Sequence, residues 1–125
     1  MNDKVVSNEV KMAMSLTLMA FSAFMEIVSQ QIENSEAEDD KFDIFLDLSL
    51  KHSDAMEKLR ETMTMHRPEH LTVNGCIAIL LDMSSVAEIE KQTGYILDLD
   101  IESSYLKIKQ ALDMTMGMVL DEVEM

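Results

Sequence analysis

The chain is poor in the residues that punctuate or cross-link a fold. It has one cysteine, one proline, three glycines and no tryptophan in 125 residues. A single cysteine excludes an intramolecular disulfide framework and fits a reducing compartment, so a cytoplasmic location is expected. Bases are also scarce: 10 Lys and Arg face 24 Asp and Glu, for a formal net charge of −14. A nucleic-acid binder needs a basic footprint, and an anionic membrane surface attracts one, so neither direct role fits. The excess acid suits a protein kept soluble by self-repulsion, or one that seeks a basic protein partner.

Catalytic signatures are missing as well. There is no glycine-rich phosphate loop, no Gly-x-Ser-x-Gly and no His-Glu-x-x-His. A di-iron bundle needs Glu-x-x-His on two helices, and none occurs. Asp43-x3-Asp47 and Glu57-x3-Glu61 lack the spacing of the paired acid motifs of helical nucleotide pyrophosphohydrolases, and they share one helix. No enzymatic activity and no cofactor are expected on these grounds.

Apolar residues make up 47% of the chain, enough for a core, so the acid does not signal disorder. The length suits one domain, and no low-complexity linker divides it. Met12 to Met25 carries no charge but is too short to span a bilayer. The acids Asp3, Glu9 and Glu26 around it disfavour a signal peptide. The run reads as a buried helix from Ser7 to Glu33. On a wheel, Val10, Met14, Leu18, Phe21, Met25, Val28 and Ile32 share one side, and Leu16, Ala20, Phe24 and Ile27 widen it. A helix apolar on most sides is expected to be central in the domain or covered by a second copy.

Ser35-Glu36-Ala37-Glu38 has capping-box spacing, and no glycine or proline follows before Pro68. A second helix is therefore expected from Glu36 to His66. Its apolar face reads Phe45, Leu48, Ala55, Met56, Leu59 and Met63, with Phe42 at the margin. The opposite face holds Glu36, Asp40, Asp43, Asp47, Asp54, Glu57 and Glu61 within about a third of the wheel. Between residues 33 and 47 there are seven acids and one base. Such a stripe serves as a solvated face, and it also offers a basic groove a spacing like that of nucleic-acid phosphates.

Thr72 or Asn74 is suited to cap a third helix over Val73–Gln92, with Gly94 as its stop. Cys76, Ile77, Leu80, Leu81 and Met83 lie close together near its start, and Asp82, Glu88 and Glu90 supply a wet side. Residues 95–101 alternate like a short strand but read better as a linker, because a lone strand is unstable. A fourth helix is expected from Asp100 to Glu122, with Asp100 as its cap. Ile101, Tyr105, Ile108, Leu112, Thr115 and Val119 step by four and three, forming an inner seam. Met114 and Met118 fall off that seam and are expected to be exposed unless a partner covers them.

The histidines fall into two settings. His52 sits in the apolar face between Leu48 and Met56, where a neutral imidazole with one satisfied partner is expected. His66, Glu69, His70 and Cys76 resemble part of a zinc set, but structural zinc wants four ligands and Pro68 breaks the helix that would align them. No metal is expected. Asp98, Asp100 and Glu102 lack the longer ligand series and turn glycine of a calcium loop.

The resulting expectation is an all-α fold, an antiparallel bundle of about four helices, with completion by homodimerisation as an open alternative. The expected role is that of a small acidic interaction protein, of a kind suited to phages and mobile elements. It would antagonise a partner by docking Glu36, Asp40, Asp43, Asp47, Asp54, Glu57 and Glu61 on a basic, nucleic-acid-binding surface. Two alternatives remain: an adaptor or assembly chaperone binding an apolar helix through Met114, Met118 and other methionines, and a small helical enzyme or metal-binding bundle.

Overall fold

A computed structural model of the chain describes residues 4–35 and 39–124. Four helices dominate it: α1 (Asn8–Glu33), α2 (Phe42–Met65), α3 (Val73–Ile96) and α4 (Glu102–Glu124). Single 3-10 turns, Asp39–Lys41 and Pro68–His70, precede α2 and α3. Among the described residues there is no strand. A single antiparallel bridge joins Val5 to Thr72, with the Val6 amide donating to the Leu71 carbonyl and the Val73 amide to the Lys4 carbonyl.

The helix starts follow local chemistry. Ser7 caps α1, its hydroxyl accepting from the Val10 amide at 3.3 Å. Thr72 caps α3 in the same way, accepting from the Gly75 amide at 3.1 Å. The expected start of α2 at Glu36 is corrected to Phe42. Glu36 and Glu38 lie outside the described residues, and the Ser35 hydroxyl turns back to donate to the Ile32 carbonyl, closing α1 instead.

The end of α3 corrects a second expectation. Gly94 does not stop the helix, which continues to Ile96. The stop is Asp98, in the left-handed region at φ 56°. The Asp98 amide donates to the Tyr95 carbonyl and the Leu99 amide to the Gly94 carbonyl, the two bonds of a Schellman ending. Gly94 serves packing: a Cβ there would lie 2.6 Å from Ile101 Cγ1. Nor does the Asp100 side chain cap α4. The Asp100 backbone is held from α1, where the Gln31 side-chain amide both donates to its carbonyl and accepts from its amide, each at 3.1 Å.

The helices run up, down, up and down. Ser7 meets Glu122 and Gln31 meets Asp100, so α1 and α4 are antiparallel. Thr62 meets Asp82 and His52 meets Glu90, which sets α2 antiparallel to α3. The Tyr105 hydroxyl on α4 donates to Glu88 on α3 at 2.6 Å. The central helix is α3, packed against all three others, whereas α1 and α2 barely touch. That corrects the expectation of a central α1. α3 buries twelve residues on one broad face, while α1 buries a narrower stripe: Val10, Met14, Thr17, Phe21, Phe24 and Val28. By length and composition α1 alone qualifies as a membrane-crossing helix among the described residues, but here that stripe belongs to the bundle core.

The α4 seam is as the periodicity predicts. Ile101, Tyr105, Ile108, Leu112, Thr115 and Val119 are all buried, and the series extends one step to Glu122. Cys76 is fully enclosed, and burial pushes its thiol up to about 11, so it is an unreactive core residue.

Candidate functional site

Three features stand out on this frame: an acidic outer face on α2, an apolar outer face across α1 and α4, and a buried polar site between α2 and α3.

Asp40, in the turn before α2, and Asp43, Asp47, Asp54, Glu57 and Glu61 on α2 are exposed, and Glu36 lies outside the described residues. Two of the six have basic partners on their own helix: Asp47 with Lys51 at 3.2 Å and Glu57 with Arg60 at 3.4 Å. These are solvent-screened surface pairs of small energetic weight. The face is not purely acidic. Phe42, Ile44, Leu46 and Leu50 are exposed among the acids, Leu50 by 62%. The first half of α2 therefore carries apolar residues outside its core side as well, and only Leu48 there is buried. Scoring one apolar face by periodicity misses this; a count of apolar residues over 42–50 would have found it.

Across α1 and α4, the Thr17 and Thr115 hydroxyls lie 2.7 Å apart at the buried seam. On α1, the exposed Met12, Leu16 and Met19 step by four and three on the side away from the core stripe. On α4, Met114 and Met118 flank Thr115, exposed by 72% and 37%. Leu16 precedes Thr17 as Met114 precedes Thr115, so in this antiparallel pair Leu16, Met114 and Met118 lie on one side of the seam, and Met12 and Met19 continue around α1 away from it. The small residues Ala13, Ala20 and Ala111 lie between them, and no charge occurs on α1 from Met12 to Met25.

The third feature is internal. Asp82 and Glu90, expected on a wet side of α3, are 8% and 4% exposed. The burial has a simple source: α2 packs over the side of α3 that carries Asp82 and Glu90, whereas Glu88, Lys91 and Gln92 lie on a stripe that stays exposed. Asp82 accepts from the Thr62 hydroxyl at 2.5 Å and lies 3.7 Å from the Lys58 ammonium. Glu90 lies 3.1 Å from His52 Nε2, but the approach is poorly aligned and Nε2 is buried without a hydrogen bond. The satisfied partner expected for His52 is thus absent among the described residues. Burial lowers the His52 pKa, keeping the ring neutral, and pushes Glu90 up to about 7. A cavity of about 290 Å³ opens beside this pair, lined also by Phe45 and Ser49 of α2, Thr93 of α3 and the last turns of α1.

Other hollows carry less chemistry. One of about 690 Å³ at the α3–α4 turn is broad, with the 88%-exposed Tyr95 on its wall and Lys41 and Lys91 at its rim. The Lys91 ammonium sits 4.8 Å from the Tyr105 ring centre. The residues grouped in sequence as half a zinc set are apart in character: His70 is exposed, Cys76 is enclosed and His66 packs against Gly75. Among the described residues, no three His, Cys, Asp or Glu side chains converge to hold a metal ion.

No protein-family model, curated protein or solved structure matches the chain.

Proposed function

We propose that the chain is a non-enzymatic interaction protein that docks the outer face of α2 on a basic surface of a partner protein, in the manner of a cytoplasmic antagonist of a nucleic-acid-handling protein. The observation that carries this reading is the row of exposed acids Asp40, Asp43, Asp47, Asp54, Glu57 and Glu61, four of which have no ion-pair partner among the described residues. A net charge of −14 adds long-range attraction toward a basic groove and faster encounter. The exposed Leu46 and Leu50 among the acids supply apolar contact once the surfaces meet.

A second reading rests on the α1–α4 face. Met12, Leu16, Met19, Met114 and Met118 form an uncharged surface that an apolar helix of a partner, or a second copy of this chain, would cover. Two copies of so acidic a chain repel each other least through an uncharged surface. Homodimerisation there leaves both α2 faces free.

Salt and mutation separate the readings. A complex made through α2 weakens as salt rises, whereas one made through α1 and α4 persists. In pull-downs from the host, reversing Asp40, Asp43 and Asp47 to Lys should abolish capture of the salt-sensitive partner. Unchanged capture with unchanged salt dependence would overturn the α2 reading. Light scattering on dilution, with Leu16→Glu as the disrupting variant, tests the dimer.

A further inference from the structure

We propose that the cavity where α1, α2 and α3 meet above Glu90 is a binding site for one small organic cation, a primary ammonium or guanidinium group. Of the three buried acids, two are provided for within the chain. Asp82 has the Thr62 hydroxyl and Lys58, and Glu122 has the Ser7 amide. Glu90 is more buried than either, at 4% exposed, and its one neighbour is an imidazole that makes no hydrogen bond to it. The atom left buried without a hydrogen bond is His52 Nε2, and the Glu90 carboxylate beside it opens on the cavity with no donor of the chain bound to it among the described residues.

The lining chooses the ligand. No Lys or Arg lines the cavity, which excludes an anion, and no three ligating side chains converge among the described residues, which disfavours a metal ion. Hydroxyls are abundant: Ser29, Ser49 and Thr93. The Thr93 proton is already given to the Ile89 carbonyl at 3.1 Å, so its oxygen remains free to accept. An ammonium or guanidinium group brings several donors and no acceptor, the complement of this set. Phe45 adds an aromatic wall of the kind that attracts cations. The volume of about 290 Å³ exceeds a single water several-fold and suits a short aliphatic amine or the end of a Lys or Arg side chain.

The charged and titratable groups around the site are His52 on α2, Glu90 on α3 and Glu33 on α1. Burial raises the Glu90 pKa to about 7, and the cation requires the ionised form. Binding below that value therefore displaces a proton from Glu90 to solvent. Affinity should rise about tenfold per pH unit below the Glu90 pKa and level off above it.

The same chemistry has two sources, a free amine or the side chain of a docked partner. The test is an amide-resolved NMR titration of the whole chain with 1,4-diaminobutane and with methylguanidinium, alongside a short Lys- and Arg-containing peptide. Saturable shifts at Ser49, His52 and Thr93, stronger at high pH and lost in Glu90→Gln, are expected. Shifts with the free cations but not the peptide assign the site to a small molecule; shifts with the peptide assign it to a partner side chain. Ser49→Leu, which fills the cavity and leaves Glu90 in place, should abolish binding even if Glu90→Gln fails to fold. The proposal is overturned if no probe gives saturable shifts at millimolar concentration, or if both variants bind as the wild type does.

Discussion

The backbone amide of Ser7 donates to both carboxylate oxygens of Glu122, at 3.2 and 3.1 Å, joining residues 115 positions apart. The Lys4 ammonium donates to the Glu122 carbonyl at 3.2 Å. These contacts fasten the start of α1 to the last turn of α4. Hydrogen bonds from Ser7, aided by the Lys4 charge, hold the Glu122 carboxyl below its usual range against the opposing effect of burial. Glu122→Ala should destabilise the fold by about 1–2 kcal/mol in urea unfolding at neutral pH. The sign follows from a folded pKa below the unfolded one. The contribution is present above the unfolded value and disappears as pH falls through the folded value. The deficit of Glu122→Ala should therefore shrink in acid.

Glu90 runs the other way. Its folded pKa of about 7 lies above the ordinary glutamate value of 4.5, so the folded state holds its proton more tightly. Stability from this group is full below the unfolded value and lost as pH rises toward about 7. Glu90→Gln cannot ionise. It should gain on the wild type between about pH 4.5 and about pH 7, by on the order of 2–3 kcal/mol. His52 titrates in the opposite sense, since its lowered pKa costs stability as pH falls below the unfolded value. That effect is shared by both proteins and largely cancels in their difference. Urea unfolding across the pH range checks this, and parallel curves for the two proteins would refute it.

The α3–α4 turn offers a pair of opposed substitutions. Gly94→Ala should destabilise by about 1–3 kcal/mol, because the added Cβ overlaps the Ile101 side chain. Ile101→Val should relieve part of that cost in the double variant. Asp98→Gly should stabilise by about 0.5–1 kcal/mol, since Asp98 occupies a left-handed conformation that glycine adopts freely. Thermal unfolding of the four proteins measures each effect.

At the α1–α4 seam, the Thr17 hydroxyl donates to the Ala13 carbonyl at 2.8 Å, so in the contact with Thr115 it accepts. Thr17→Val removes the acceptor and strands the buried Thr115 hydroxyl, costing about 1–2 kcal/mol. Replacing both threonines by Val should be less harmful than the sum of the single changes. A double-mutant cycle tests for that coupling.

Local signals carried much of the fold. The starts of α1 near Ser7 and of α3 after Thr72 or Asn74 needed only the small polar side chains and the hydrophobic run that followed them, and the structure made Ser7 and Thr72 the caps. The α4 seam was readable because a helix buried on one side shows its burial as a repeat of four and three. The readings failed where a neighbour altered the meaning of a residue. Gly94 looked like a helix stop, but Ile101 packs against it and Asp98 takes the stop. Glu90 looked like a solvated residue, but α2 lies over it.

The sequence by itself determined four helices, an acidic excess gathered on α2 and an uncharged run on α1, because each follows from composition and spacing along one helix. Only the tertiary structure decided that α3 is the helix that packs against all three others. It alone set Met114 and Met118 of α4 along the same seam as Leu16 of α1, and left Glu90 buried beside an imidazole without a hydrogen bond. These relations depend on which helix covers which, and that is settled by packing between segments far apart in the chain.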